Sequence, residues 1–345
     1  MTRSPRYRTA LIGLGRIGRT YAHDKRTARH YRYASHAQVL NAHPAFAWEA
    51  AVDPDPSALE ATSLEWKVPH TFRDVEEMAR SCRPEVAVIA TPPEARLKVI
   101  QSLPGLRAAI VEKPLAANGA AAAELVDYCR EQGIALQVNL SRRFDRTLTE
   151  LAGDRLTDCI GTVQAAFGVY GNGLRNNGVH LIDMVRMLLG EVVAVRALGQ
   201  PVARVASPIA GDVDLPFSLT LENGAVVCVG NLDFSYYREV ALDVWGAAGR
   251  LEFFQEGLTV RLSRATDHRA IEAEREVASD RPETRTSGAG TALYALYDNL
   301  ADALAGRAEL ASPATSALVA ERVVDALIAS ADADGARMVV AEFQP

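Results

Sequence analysis

The first third of the chain alternates short apolar runs with helical segments, and this alternation limits the possible folds more than any other feature. The runs "RTALIGLG", "AWEAAVD", "EVAVIATPP", "AAIVEKP" and "IALQVNL" are each typical of a buried strand. Strands that alternate with helices form a parallel sheet covered on both faces, because each crossover places a helix against the sheet. The pattern predicts an α/β domain with five or six parallel strands.

Beyond residue 140 the pattern changes to alternating runs that are joined by tight turns. "FSLTLENGAVVCVGNL" and "EVALDVWGAAGRLEFF" are broken at "ENG" and "GAAG", as in antiparallel hairpins. The 345 residues also exceed the roughly 250–300 at which single cores usually stop growing. We therefore predict an α/β domain over 1–140 and an α+β domain with an open, largely antiparallel sheet over 141–345.

Charge and composition exclude several classes of partner. The net charge is −6, so we expect no basic face for nucleic acid. The apolar run before Gly15 is too short for a signal peptide or a membrane span, which predicts a cytoplasmic protein without a membrane partner. The four cysteines lie far apart without C-x-x-C spacing, so we expect reduced thiols and no metal site.

The stretch "LIGLGRIG" has the G-x-G-x-x-G spacing after a strand and before a helix. Gly13 permits a tight turn, Gly15 lets the backbone approach a pyrophosphate, and Gly18 lets the helix pack on the strand. The spacing predicts a Rossmann dinucleotide site, in which Arg16 and Ile17 complete the loop.

Asp53 ends the second strand in "AVDPDP" and is placed to accept hydrogen bonds from the ribose of the cofactor. No arginine follows in "DPDPSALE" to bind a 2′-phosphate, so NAD is favoured over NADP. Asp53 lies 35 residues after Gly18, where about 20 is usual, which indicates an insertion.

The insertion maps to segment 23–38, which is rich in arginine and histidine. Two interpretations stay open: a solvated surface loop, or a basic flap over the cofactor or over a phosphate-bearing substrate. His23, His30 and His36 lack the helical spacing and the carboxylate cluster of a metal site. We expect no metal there.

Lys113 follows a predicted strand in "IVEKP", at the carboxyl edge where open α/β sheets bind ligands. Only four of the 37 basic residues are lysines. A lysine in such a chain favours a role that needs a titratable amine, because arginine does not lose its proton in proteins. The following Pro114 also permits a cis peptide bond.

The stretch "RNNGVHLIDMVRMLLG" predicts a buried helix over 178–189 with few polar side chains. His180 and Asp183 fall on one face, and Asn176 or Asn177 suits the N-cap. A His180 in the first turn would be held neutral by the positive helix end. The alternative to a functional role for His180 and Asp183 is a polar stripe, continued by Arg186, that merely faces solvent or forms a buried ion pair.

These motifs together resemble the glucose-fructose oxidoreductase, inositol dehydrogenase and MocA-like family. The resemblance spans residues 8 to about 330, and E-K-P with G-x-H-x-x-D is more specific than the glycine motif. It implies a Rossmann domain, a second domain built on an open sheet, and homodimers or homotetramers formed through that sheet. It further implies a small-molecule sugar substrate.

The resemblance also implies roles for individual residues. Lys113 and His180 would share the proton transfer that accompanies hydride transfer at a carbinol. Asp183 would orient His180 or contact the substrate. The cofactor would also be bound by the residues around the ends of two strands, namely Thr91, Pro92, Pro93 and Glu112.

One position departs from the family pattern. Sugar dehydrogenases of this family often have an aspartate four residues before the histidine, where this chain has Asn176. The missing charge disfavours a simple polyol as substrate and leaves nucleotide-linked sugars as an alternative, with Asn176 and Asn177 as contacts. Arg142 and Arg143 follow the last parallel strand, where they would bind a substrate carboxylate or phosphate, or form a structural ion pair.

Three functional hypotheses follow from these residues. The first is an NAD-dependent oxidoreductase acting on a secondary alcohol or ketone of a sugar or nucleotide-sugar. The second is an enzyme that retains NAD and recycles it in place, as in aldose oxidoreductases or NAD-dependent glycosidases, recognisable by a cofactor that never exchanges. The third is a non-catalytic NAD-binding sensor, in which Lys113 and His180 would have no effect on function.

Overall fold

In the computed structural model the chain forms two compact units. Unit 1 comprises residues 1–144 and 289–318, and unit 2 comprises residues 145–288 and 319–345. The structure describes residues 6–203, 207–277 and 281–340.

Unit 1 contains a parallel sheet of six strands. The strands are β1 (Tyr7–Ile12), β2 (Phe46–Val52), β3 (His70–Phe72), β4 (Val86–Ile89), β5 (Ala108–Val111) and β6 (Ala135–Val138). Their order is β3-β2-β1-β4-β5-β6, which is the dinucleotide-binding order and confirms the predicted Rossmann sheet. The five predicted runs are all strands. β3 was not predicted because its short polar sequence lacks an apolar run.

Five helices of unit 1 alternate with these strands. They are α1 (His36–Ala42), α2 (Pro56–Trp66), α3 (Val75–Ser81), α4 (Arg96–Gln101) and α5 (Gly119–Glu131). The Asn118 side chain caps α5 by accepting from the Ala121 N–H at 3.0 Å, the usual role of asparagine at this position. Four short 3₁₀ turns complete this part of the unit, at Thr20–His23, Thr27–Arg29, Pro93–Ala95 and Ser141–Phe144.

The insertion splits the helix that was expected directly after Gly18. Three main-chain hydrogen bonds to the carbonyls of Gly15 and Arg16 form a short helical stretch, which then passes into 3₁₀ turns. The regular helix α1 begins only at His36, whose N–H donates to the Ile17 carbonyl at 2.9 Å. Segment 23–38 is thus exposed at its start and buried at its end.

Unit 2 is built on a large sheet. Its first helices are α6 (Arg146–Thr149), α7 (Asp154–Ile160) and α8 (Val179–Leu189), with a π-helical turn at Leu174–Gly178. Its strands are β7 (Val163–Gly171), β8 (Val192–Ala197), β9 (Val202–Ala203), β10 (Val213–Asp214), β11 (Phe217–Leu221), β12 (Val226–Leu232), β13 (Ala241–Gly246), β14 (Gly249–Phe254), β15 (Thr259–Asp267), β16 (Arg275–Val277), β17 (Glu283–Thr286) and β18 (Met338–Val339).

Ten of these strands form one sheet, and β9 and β10 form a separate pair. All neighbours are antiparallel except β7 and β12, which confirms the predicted, largely antiparallel sheet. Along β7, Ala166, Gly168 and Tyr170 are buried while Phe167 is exposed. One face therefore packs in the core of unit 2 together with α8, and the other face is open.

The C-terminal helices are α9 (Ala289–Leu304) and α10 (Ala314–Asp332). The structure differs from the predicted domain division here, since α9 belongs to unit 1 although it follows the large sheet in sequence. The reason is packing: Leu293, Leu296 and Leu300 lie in one hydrophobic cluster with Leu40 and Phe46. Residues from 319 onward in α10 belong to unit 2.

Replacement of Leu296 by alanine tests this packing. Leu296 is fully buried, so we expect the substitution to lower the free energy of unfolding by about 2–5 kcal/mol, since it leaves a cavity. Urea unfolding measures the change. Leu64→Ala is the control, because Leu64 is 75% exposed and its loss should have little effect. Equal stability of the two variants would contradict the packing of α9 in this core.

Candidate active site

The glycine loop has the geometry that its spacing predicts. Gly13 has a φ of +93°, and a Cβ there would lie 2.7 Å from the Ala90 carbonyl oxygen. A Cβ on Gly18 would overlap the Gly13 carbonyl, so close packing requires glycine there. A Cβ on Gly15 would meet no atom within 4 Å. The loop is therefore tight at its first and third glycines and open at its second.

Asp53 lies beside this loop, at the end of β2. Its Oδ2 accepts from the Leu14 N–H at 2.7 Å, and its Oδ1 accepts from the Asp55 N–H at 2.9 Å. These bonds fix the carboxylate next to the glycine loop. A cavity of about 290 Å³ adjoins it within unit 1. Arg73 and Lys98 also line this cavity, and the sequence around Asp53 gave no sign of them.

Thr91 provides a second sign that this cavity is a ligand site. It lines the cavity, and its buried Oγ1 has no hydrogen-bond partner within the described residues. Buried hydroxyl groups normally have a partner, so a polar ligand group is the natural one here. Pro92 and Pro93 follow directly at the same edge, the second of them opening a 3₁₀ turn. The open glycine, the fixed carboxylate and this hydroxyl fit a dinucleotide.

Arg96 joins the two loops at this edge of the sheet. Its side chain is buried, at 2% exposure, and donates to the main-chain carbonyls of Thr91, Glu112, Pro114 and Leu115. These carbonyls belong to the loops after β4 and β5. Sequence reasoning missed Arg96, because a single arginine at the start of a helix carries no local signal of burial.

Lys113 follows β5 and is half-buried. Its peptide bond to Pro114 is cis, as the sequence permitted. The neighbouring Glu112 accepts hydrogen bonds on Oε1 from His36 Nε2 at 2.9 Å and from Asn139 Nδ2 at 2.7 Å. The buried end of the insertion therefore contacts the E-K-P sequence. The signal that could have located His36 is the capping box of Ser35, which predicts a helix start there.

In unit 2, the predicted N-cap at Asn176 or Asn177 is wrong. Both residues lie inside the π-helical turn, so neither is its N-cap, and their side chains donate to carbonyl oxygens before the helix. Asn176 Nδ2 donates to the Asn172 carbonyl at 3.0 Å, and Asn177 Nδ2 donates to the Gly171 carbonyl at 2.7 Å. The amides thus tie the turn to the end of β7.

The cap is supplied by Asp212, from a distant part of the chain. Its carboxylate accepts from the N–H groups of Arg175 at 3.0 Å and Asn176 at 3.1 Å, and Ser207 Oγ lies 3.0 Å away. Asp212 is 4% exposed. A Cβ on Gly173 would overlap this carboxylate, which explains a glycine at that position. His180 consequently lies beyond the first turn of a longer helical segment.

The polar stripe of α8 is largely buried. Asp183 is 1% exposed, and its Oδ1 lies 3.6 Å from Nη1 of Arg186. Arg186 also donates twice to Glu191, at 2.7 and 2.9 Å. This is the buried ion pair that was one of the two alternatives for the stripe. His180 is half-buried at its beginning.

Arg142 and Arg143, the other predicted substrate contacts, lie in the 3₁₀ turn after β6, and both are half-buried. They belong to unit 1 with Lys113, whereas His180 belongs to unit 2. The meeting of Lys113 with His180 stays a prediction.

Residues 6–203, 207–277 and 281–340 contain no group of three or more histidine, cysteine, aspartate or glutamate side chains that could hold a metal ion. None of the helices in these ranges has the length and apolar character needed to cross a membrane.

Comparison with known protein families agrees with this geometry. Residues 7–140 match the model of the GFO_IDH_MocA oxidoreductase family, described as an NAD-binding Rossmann fold. Residues 163–252 match the GFO/IDH/MocA C-terminal domain, so the two matches cover more than half of the chain. The chain belongs to this family. It is an oxidoreductase with NAD as its cofactor, which confirms the predicted family, enzyme class and cofactor.

Similar proteins include named dehydrogenases. A D-apiose dehydrogenase from Paraburkholderia graminis is 28% identical over 71% of this chain and 67% of its own length. The myo-inositol dehydrogenase Hyg17 from Streptomyces leeuwenhoekii is 26% identical over 70% of this chain and 75% of its own length. A levoglucosan dehydrogenase solved with NADH and levoglucosan has a TM-score of 0.76, at 17% identity, over 98% of this chain and 100% of its own. That structure supports the fold.

Gly15→Ala tests the role of the open glycine. The added methyl group meets no protein atom, so we expect unchanged stability but at least about a tenfold loss of NAD affinity, because the methyl group occupies space beside the pyrophosphate. Isothermal titration with NAD measures the affinity. Gly230→Ala is the matched control, since its Cβ would have only one neighbour, at 4.0 Å. Undiminished NAD affinity in Gly15→Ala would contradict the assignment.

Proposed function

We propose that this protein transfers a hydride between NAD and a secondary alcohol or ketone of a sugar, with Lys113 and His180 handling the proton. The observation that carries the proposal is a titratable amine, Lys113, at the sheet edge that also presents the cofactor residues. Arginine would bind an anion there but could not exchange a proton. Carbinol oxidation needs the hydroxyl proton removed, and carbonyl reduction needs one supplied.

The cofactor would be bound by unit 1. Bound NAD supplies the hydride acceptor. The main chain of the glycine loop would bind the pyrophosphate, with Arg16 and Ile17 in the same loop, and Asp53 would accept from the adenosine ribose. The strand ends would surround the nicotinamide half, through Thr91, Pro92, Pro93 and Glu112. Arg73 and Lys98 are the residues from which any affinity for NADP would come.

The substrate would be bound by the polar residues nearest His180. Asn176 replaces the aspartate that is common in sugar dehydrogenases, so this position contributes an amide and no charge. A nucleotide-linked or acidic sugar fits this replacement if Arg142 and Arg143 bind its phosphate or carboxylate bidentately. One structural neighbour, the Bordetella pertussis WlbA dehydrogenase, was solved with NADH and UDP-GlcNAcA, at 18% identity and a TM-score of 0.70 over 98% of this chain and 100% of its own.

Asp183 and Asn177 would act mainly by holding His180 in place. Asp183 is buried beside Arg186, so its role would be to orient His180 from one helical turn away. Asn177 holds the turn that precedes the helix through its bond to the Gly171 carbonyl. Both would fix the imidazole relative to the substrate.

The proton-transfer residues are tested by Lys113→Met and His180→Ala. We expect each to lower turnover by about 10²- to 10⁴-fold and to leave the Kd for NAD nearly unchanged, since neither change removes a glycine-loop contact. NADH absorbance with a panel of polyols, aldoses, sugar acids and nucleotide-sugars measures turnover, and titration measures the Kd. Lys67→Met and His70→Ala are the matched controls, because both residues are exposed.

Two results would count against this assignment. If both variants keep the wild-type turnover, the protein uses other groups for the proton. If the wild-type protein binds NAD but turns over no member of the panel, a non-catalytic sensor becomes the better description.

We further infer that the open face of the large sheet binds a second copy of the chain. The face presents Phe167, 51% exposed, and Trp245, 36% exposed. Arg250 lies over the Trp245 ring at 4.3 Å and donates to Asp243 at 2.7 and 2.8 Å. Aromatic rings with internally paired charges are typical of oligomer interfaces, because little charge must be desolvated without a partner.

Phe167→Glu tests this surface. A glutamate at the centre of an interface is desolvated without a partner, so we expect the oligomer to dissociate into folded monomers. Light scattering coupled to gel filtration measures the mass. Leu64→Glu, on the exposed face of α2, is the control and should leave the mass unchanged. A wild-type monomer, or a Phe167→Glu variant of unchanged mass, would contradict the inference.

A further inference from the structure

A hydrogen-bonded network of buried polar side chains contacts Glu112, the first residue of the E-K-P sequence. His36 is fully buried, with Nδ1 at 2.8 Å from the hydroxyl of Tyr297 and Nε2 at 2.9 Å from Oε1 of Glu112. Asn139 donates to the same oxygen at 2.7 Å. Three segments of unit 1 thus meet at this carboxylate, and a fourth, which carries Tyr297, is linked to it through His36. Nothing in the assigned chemistry of the glycine loop or of Lys113 requires this arrangement.

The hydrogen bonds fix the charge on Glu112. Burial by itself raises the pKa of its carboxyl group, but the hydrogen bond and charge of His36, the Asn139 amide and the charge of Lys113 together hold that pKa below its usual value. Burial and the charge of Glu112 raise the pKa of the Tyr297 hydroxyl, which therefore stays protonated. The lowered pKa keeps Glu112 ionised, and the raised pKa keeps Tyr297 uncharged.

The other titratable and charged groups near the carboxylate come from α1, α4, α9 and the neighbouring position in the chain. The titratable and charged groups that face Glu112 are His36 from α1, Tyr297 from α9, and Lys113 beside it in the chain. Arg96 from α4 directs its guanidinium to the main-chain carbonyl of Glu112. The ionised Glu112 thus places a negative charge in a poorly solvated position, next to the lysine in the chain.

We propose that Glu112 is the counter-charge of Lys113, held in place by His36, Asn139 and Tyr297, and that it stabilises the ammonium form of this lysine. These four residues are positioning residues, since they act through Lys113. The inference rests on the proposed role of Lys113 in proton transfer. It also gives the insertion a function, because its buried end supplies His36.

The low lysine content allows a direct test that needs no substrate. The chain has only Lys25, Lys67, Lys98 and Lys113. Reductive methylation with isotope-labelled formaldehyde therefore gives few side-chain NMR signals, and Lys113→Arg identifies the signal of Lys113 by its disappearance. The titration of that signal with pH reports the pKa of Lys113 in the full-length protein.

The decisive variant is Glu112→Gln, which keeps the shape of the side chain and removes its charge. We expect the pKa of Lys113 to fall by about one unit or more, because the ammonium form loses its neighbouring negative charge. Glu131→Gln, at the exposed end of α5, is the matched control and should leave the pKa unchanged. An identical Lys113 pKa in the wild-type protein and in Glu112→Gln would overturn the proposal.

A second pair of variants covers the case in which Glu112→Gln does not fold. His36→Leu removes the donor to Glu112, whereas His36→Gln keeps an amide donor. We expect the acid-side inflection of the Lys113 signal, which reports Glu112, to move to higher pH by about one unit in His36→Leu and less in His36→Gln. An inflection at the same pH in both variants and in the wild-type protein would overturn the role of His36.

Failure of this inference can be distinguished from failure of the proposed function. Retained turnover in Lys113→Met would overturn both, since the lysine would then have no proton to handle. Lost turnover in Lys113→Met with an unchanged titration in Glu112→Gln would overturn this inference alone.

Discussion

The buried guanidinium of Arg96 is the interaction on which the cofactor edge of unit 1 depends. Its four carbonyl acceptors lie on two loops that follow different strands. A buried charge that loses its hydrogen bonds lowers the free energy of unfolding by several kcal/mol. Neither loop can therefore shift without this loss of stability. Thr91 and Lys113 are therefore held in a constant relation by the main chain, whatever their own side chains contact. Groups held in this way lose little entropy when a ligand binds.

In unit 2 a buried anion, the carboxylate of Asp212, binds the main chain as the buried Arg96 cation does in unit 1. Asp212 accepts from main-chain N–H groups at the start of the π-helical turn, as Arg96 donates to carbonyls. In both units a buried ion binds the backbone of a loop that carries predicted site residues. Glu112 differs, because its partners are the side chains of His36 and Asn139. It can therefore influence chemistry as well as shape.

The parts of the fold that depend on local pattern could be predicted, and the parts that depend on distant partners could not. The apolar runs located five strands of the Rossmann sheet, because these signals lie within a few residues. The N-cap of the His180 helix was predicted wrongly, since the capping carboxylate of Asp212 lies 36 residues after Asn176. The place of α9 in unit 1 likewise follows from the packing of side chains such as Leu296, which periodicity does not report. The meeting of His36 with Glu112 is a tertiary contact of the same kind.

The split first helix also has an electrostatic consequence. The field of a helix acts on an anion mainly through the N–H groups of its first turn, so residues further along add little attraction. Here the hydrogen bonds from Arg19 and Tyr21 to Gly15 and Arg16 preserve that first turn before the insertion begins. The regular helix thus ends after the first turn, and residues beyond that turn add little attraction for a bound phosphate. Such a position can accept extra residues, and with them new side chains such as His36, without weakening the anion site.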